Sequence, residues 1–272
     1  MLKHTTFKQT QIRFSDEGKG RAIIFLHGFL ENHEIWNEFS KQFSKRFRVI
    51  AIDLPGHGET PAVGYIHSME MMAACVKTVA DKLKLRKYIL VGHSMGGYVA
   101  MAFAELFPRN LKGVCLFHSS ARADSEEKKL ERARTIKAIK KNHIPFVEGF
   151  FEKLFAAENA ENFKTEIRNL RISAAKLTRQ SIVNSLEGMK ERPDREIILR
   201  SAKIPFLFII GKKDVVLNYE NLIQQTENND RSSMILLENA GHMGFLEEKE
   251  KTLKAISRFS SKCFRRNYTI CQ

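Results

Sequence analysis

Short apolar runs rich in β-branched residues recur along this chain, and between most of them lie segments whose apolar residues return every third or fourth position. No other feature narrows the fold so far. The runs are TQIRF (10–14), RAIIFLH (21–27), FRVIAIDL (47–54), KYILVG (87–92), LKGVCLFH (111–118), IPFLFIIG (204–211) and SSMILLEN (232–239). Stretches such as AIIFL and FLFII do not alternate in polarity, as expected of strands covered on both faces of a parallel sheet. The intervening segments, among them HSMEMMAACVKTVADKLKL (67–85) and MGGYVAMAFAELFP (95–108), carry one apolar stripe at helical spacing. Strand and helix in regular alternation predict an α/β protein with an open, mostly parallel, doubly wound sheet. The first two runs are joined by SDEGKG (15–20), which reads as an antiparallel hairpin at one edge.

The alternation stops between 119 and 200. SEEKKLERARTIKAIKK (125–141), PFVEGFFEKLFAAENAENFKTEIRNLRISA (145–174) and KLTRQSIVNSLEGMKER (176–192) read as helix after helix, with no strand among them. The expectation is a helical cap over 119–200, inserted into a core made of 1–118 and 201–272.

Composition excludes several classes. No stretch approaches the run of about 18 apolar residues that a membrane span needs, and the start, MLKHTTFKQTQIRF, lacks a signal-like apolar run. Cys75, Cys115, Cys263 and Cys271 are scattered without Cys-x-x-Cys spacing, which argues against a disulfide framework or a zinc site and for a reduced, cytoplasmic protein. The 45 basic and 31 acidic residues leave a net charge of +14. The basic residues are interleaved with Glu on helices, as on solvated faces, and only the last stretch, SRFSSKCFRRNYTICQ (257–272), is basic without acidic relief. Dispersed charge gives no continuous footprint for nucleic acid or a membrane surface.

One serine stands out. In LVGHSMGGYVA (90–100), Ser94 falls where a strand hands over to a helix, with Gly92 and Gly96 two residues to either side. A serine hydroxyl attacks well only when a base takes its proton and its oxygen stands clear of the backbone. A sharp strand-to-helix turn provides the clearance, and glycines remove the Cβ atoms that would collide there. The stretch has neither the Lys-Ser/Thr ending of a P-loop nor the G-x-G-x-x-G spacing.

With GHSMGG, the pieces LHGFLENHEIW (26–36), DLPGHGET (53–60), GKKDVV (211–216) and NAGHMGFLE (239–247) make the chain resemble the α/β-hydrolase family over nearly its full length, in the family order nucleophile, acid, histidine. The resemblance implies that His242, in a Gly-flanked loop after the last strand, is the base. It implies that Asp214, after PFLFIIG, orients the ring; Glu238 and Glu247 are competing acids too close to the histidine in sequence. Some family members carry the acid after the preceding core strand, where this chain has His118-Ser119-Ser120. Carried over in the same way, the backbone N–H groups of Phe29 and Met95 form an oxyanion hole. His27, His57 and His93 read as structural.

A serine nucleophile implies acyl transfer to water: a serine hydrolase acting on a small or medium carboxylic ester or thioester, a small-molecule substrate, with no metal or organic cofactor called for. It argues against the family branches that use Asp at this position. Carbon–carbon bond hydrolases and lyase-type members resembling a menaquinone-pathway synthase share the triad and remain an alternative, as does a noncatalytic ligand-binding role. Trp36, Tyr98, Phe150 and Phe245 are expected to line the substrate pocket. Most of the aromatic stripe Phe146, Phe150, Phe151, Phe155 is expected to pack cap on core. Arg122, Arg132 and Arg134 are candidates to clamp an anionic group but look no different from surface charges. Oligomeric state is not readable.

Overall fold

The computed structural model describes residues 2–265, so Cys271 and the end of the basic C-terminal stretch lie outside it. Eight strands form one sheet: β1 (Leu2–Phe7), β2 (Thr10–Glu17), β3 (Ala22–Leu26), β4 (Arg48–Ile52), β5 (Tyr88–His93), β6 (Leu111–Phe117), β7 (Phe206–Gly211) and β8 (Ser232–Leu237). Their spatial order is β1-β2-β4-β3-β5-β6-β7-β8. From β4 onward in that order every pair is parallel, while β1–β2 and β2–β4 are antiparallel.

The expected hairpin between TQIRF and RAIIFLH does not form. β4 lies between β2 and β3, pairing Phe14 with Ile52 on one side and Leu26 with Ile52 on the other. The apolar β4 fills both of its edges by entering between them. β2 instead makes its hairpin with β1, LKHTTF, through Lys8-Gln9, both at positive φ as a two-residue hairpin turn requires. β1 escaped the sequence reading because its outer face is polar and half exposed.

The helices are α1 (Asn37–Phe43), α2 (Met69–Lys82), α3 (Met95–Leu106), α4 (Glu126–Lys141), α5 (Ile144–Phe150), α6 (Lys164–Ala174), α7 (Arg179–Lys190), α8 (Glu196–Ser201), α9 (Tyr219–Glu227), α10 (Gly244–Glu247) and α11 (Lys249–Arg265). Strands β3, β5 and β7 are buried at every position, which is why their sequences show no alternation. Under the sheet, Phe25, Trp36, Phe39 and Phe43 interlock with ring centroids 5.0–6.3 Å apart. Cys75 and Cys115 are buried among such side chains as small hydrophobes.

Between β6 and β7 the described chain contains helices and turns only, α4 to α8. The long segment 145–174 is not one helix but α5, two 3-10 turns and α6. The chain leaves helical geometry at Phe155, which is extended at ψ 154°. Among the described residues no helix is long and apolar enough to cross a membrane.

Candidate active site

Ser94 sits between the end of β5 and the start of α3 with φ 48° and ψ −115°. A non-glycine residue there costs about 1–3 kcal/mol and persists only where its surroundings over-determine it. They do: Ser94 N–H donates to Phe117 O at 2.9 Å, and Ser94 O accepts from Gly97 N at 2.9 Å and Ser119 Oγ at 2.8 Å. The two flanking glycines are sterically required, because a Cβ on Gly92 would run into the Gly96 carbonyl and one on Gly96 into that of Leu26. The half-exposed Ser94 borders a cavity of about 380 Å³, whose lining also includes His242.

Asp214 and His242 come from the loops after β7 and β8. His242 Nδ1 lies 2.7 Å from Asp214 Oδ2, and that carboxylate has no exposed surface. Asp214 Oδ1 accepts the N–H groups of Val216 and Leu217 at 2.8 and 3.1 Å. Burial alone would raise this carboxyl, but the charge of His242 and the hydrogen-bonding histidines around it hold it well below the usual range. Glu247 takes no such place: it accepts from Gly241 N and Ala156 N, bracing the histidine loop. Glu238 pairs with Lys212 at the surface.

A second histidine faces the same carboxylate oxygen. His118, the residue after β6, has φ 47° and no exposed surface. Its Nε2 accepts from Gly244 N at 3.1 Å, which places its proton on Nδ1, 3.5 Å from Asp214 Oδ2. Burial pushes the ring down to about 4, so it is neutral. The ligand atoms of His118, Asp214 and His242 lie within 4.8 Å of one another.

Beneath this cluster runs a network that sequence reading missed. Glu31 Oε2 accepts Gly28 N–H at 2.5 Å and faces His93 Nδ1 at 2.9 Å, while His93 Nε2 reaches the His242 carbonyl at 2.9 Å. Both ring nitrogens of His93 face acceptors, so both carry hydrogen and the two side chains form a buried ion pair. Burial would push both groups toward neutrality, but each holds the other's charge: Glu31 stays lowered and His93 raised. The pair ties the loop after β3 to the loop of His242 across the base of Ser94. Its only trace in the sequence is one acidic residue in the apolar turn HGFLE. His27 and His57 are structural in the same sense, the first accepting Leu54 N–H at 3.0 Å.

Neither the Phe29 nor the Met95 N–H has an acceptor among the described residues. The Phe29, Tyr98, Phe146 and Phe150 side chains line the Ser94 cavity, with Leu186 and Met189 of α7 behind them. Trp36 and Phe245 do not, which corrects the expectation for both. Trp36 is buried against Phe25, Phe39, Phe117 and Phe245, and Phe245 stands edge-on to His93 at 5.0 Å. Both are buried in the core, Trp36 at the end of the turn His33–Trp36 and Phe245 on α10. Phe151 and Phe155 are buried as well.

A sequence model of the alpha/beta hydrolase fold matches residues 21–249, and the chain belongs to that family. AB hydrolase superfamily protein YisY of Bacillus subtilis (strain 168) is 28% identical over 266 residues, covering 90% of this chain and 94% of the relative. A putative 2-succinyl-6-hydroxy-2,4-cyclohexadiene-1-carboxylate synthase of the same bacterium is 28% identical over 260 residues, covering 90% and 93%. Among solved structures, a thermophilic esterase from Thermogutta terrifontis, with malate bound, is similar with a TM-score of 0.90 and 28% identity, covering 97% of this chain and 99% of that one. The chain is thus an alpha/beta hydrolase of the esterase-like kind.

Proposed function

We propose that the chain hydrolyses a small or medium carboxylic ester or thioester through Ser94, His242 and Asp214. The observation that carries this reading is the pairing of a strained, half-exposed Ser94 with a His242 that shares its cavity and is held at 2.7 Å by the fully buried carboxylate of Asp214. Ser94 Oγ attacks the carbonyl carbon while His242 Nε2 takes its proton. Asp214 keeps the ring in the Nδ1–H tautomer and stabilises the imidazolium. The oxyanion is received by the Phe29 and Met95 N–H groups, each worth about 3–4 kcal/mol in comparable sites. Collapse breaks the bond to the leaving oxygen or sulfur, which accepts the proton from His242. Water then repeats the cycle on the acyl-serine and releases the acid. Residues 119–200 serve as the cap that walls the acyl pocket, on a core of 1–118 and 201–272.

Intact protein treated with a fluorophosphonate should gain one adduct, on Ser94, that a Ser94→Ala control lacks. Folded protein that gains none overturns this reading. The synthase relative favours a second reading, carbon–carbon bond chemistry at the same serine. An adduct on Ser94 without turnover across a graded series of alkyl esters would select it.

A further inference from the structure

The walls of the Ser94 cavity differ in charge as well as shape. Its charged lining, His242 aside, consists of Lys128, Glu131 and Arg132 from α4 and Lys153 from the turn after α5, three cations against one anion. Lys128 is paired with Glu131 at 2.8 Å, whereas Lys153 has no ion-pair partner among the described residues. Of the three arginines the sequence could not separate, Arg122 is tied to Glu196 and, like Arg134, lies off the cavity wall. Arg132 alone of the three lines it.

Arg132 is no surface side chain. It is 13% exposed and grips Asp124, itself 5% exposed, through Nε at 2.5 Å. The same carboxylate is shared with Arg192, 4% exposed, at 2.8 Å. Burial would raise Asp124, but the two guanidinium groups hold it low and ionised. Two guanidinium charges therefore sit on one carboxylate, and neither has another within ion-pair distance among the described residues. Arg192 is held behind the wall by stacking on Tyr98, its Cζ 3.9 Å from the ring centroid. Arg132 lines the cavity, and its Nη1 has no hydrogen-bond partner among the described residues.

A half-buried surplus charge is costly unless something of opposite sign meets it. We propose that the substrate of this site is an ester that carries a free carboxylate, received by Arg132 Nη1 and Lys153 while the ester lies at Ser94. The proposal rests on the reading of Ser94 as nucleophile only for where the ester lies. The carboxylate can stand on the acid or on the alcohol side of the scissile bond, and both sides are tested by the same chemistry.

Two matched pairs decide it, each with an ethyl group replacing the carboxylate: monoethyl adipate against ethyl heptanoate, and 4-acetoxybutyrate against pentyl acetate. In at least one pair kcat/KM should favour the anion by about tenfold, the effect of one charge-assisted hydrogen bond. Salt should shrink that ratio, and Lys153→Gln and Arg132→Lys, which keeps a charge on Asp124 but removes Nη1, should each reduce it. Calorimetric binding of monoethyl adipate to Ser94→Ala, weakened by Lys153→Gln, supports the proposal without any turnover. Neutral partners that react as fast as the anions in both pairs overturn it, whatever the adduct on Ser94. If no ester reacts and no adduct forms, the nucleophile reading fails, and the calorimetric result alone then upholds or rejects the carboxylate site.

Discussion

The floor and the roof of the Ser94 cavity are held together in opposite ways. On the floor, at the carboxyl ends of β3, β5, β6, β7 and β8, the side chains of Glu31, His93, His118, Asp214 and His242 are all buried and each is fastened by hydrogen bonds to another loop. The roof is thinner. α4 fully buries only Ile136 and Ile139, and, Arg132 apart, it carries exposed i,i+3 pairs in Lys128–Glu131 and Lys129–Glu126. Groups that must keep their distances through a reaction lie where removing one partner strands another charge. On the roof, Lys153 can change alone, whereas Arg132 is tied through Asp124 to Arg192.

The sharpest way to break this contrast is at Ser94. Ser94→Gly should abolish the fluorophosphonate adduct and lower any ester turnover by at least about ten thousandfold. It should also raise the unfolding free energy by about 1 kcal/mol, since glycine accepts the left-handed backbone. Loss of stability instead would mean that the turn is not strained. Asp214→Asn follows: turnover should fall by about ten thousandfold with the fold intact by circular dichroism, because an amide stabilises the wrong tautomer of His242.

Trp36→Ala tests the floor as a packed body. It should cost about 3–5 kcal/mol in urea unfolding, yet leave the ranking of ester substrates unchanged, because the indole does not touch the cavity. A changed ranking would return Trp36 to the pocket. Phe150→Ala on the roof should do the reverse, with a small loss of stability and a shifted preference for chain length.

Acid titrates the same contrast. His118 and His67 are held by burial at about 4, below their ordinary 6.5, and His27 and His57 are lowered too, against only His33 and His93 raised. As pH falls the unfolded chain takes up these protons first. Stability should therefore be full above about pH 6.5 and decline steadily toward pH 4, read as a falling Tm. A Tm that is flat or rising over that range would show that these rings are not buried neutral. The smallest effect belongs to the roof: Glu126→Gln should change stability by less than about 0.5 kcal/mol.

Much of this was legible in the sequence because its causes are local. Runs such as AIIFL are apolar at every position because both faces of the strand are covered, and Gly92 precedes Ser94 because its clash with Gly96 lies within one turn of chain. Asp214 and His242 were found by their order along a pattern shared with a family. Other features have causes far away in the chain. Strand β4 lies between β2 and β3 because a buried apolar strand needs neighbours on both edges, and nothing in SDEGKG records that. Trp36 and Tyr98 are equally aromatic, yet one lies beneath the sheet and the other faces the cavity.

The sequence by itself determined the periodicities, the turn that exposes Ser94 and the identity of the groups available to it. Only the tertiary structure decided that Glu31 and His93 share a buried charge beneath that serine, that His118 turns toward Asp214, and that Arg132, rather than Arg122 or Arg134, faces the cavity. Those choices depend on contacts between residues up to 149 positions apart, as between His93 and His242. At such separations the direction of a side chain is set by how strands and loops stack, and composition and spacing carry no record of it.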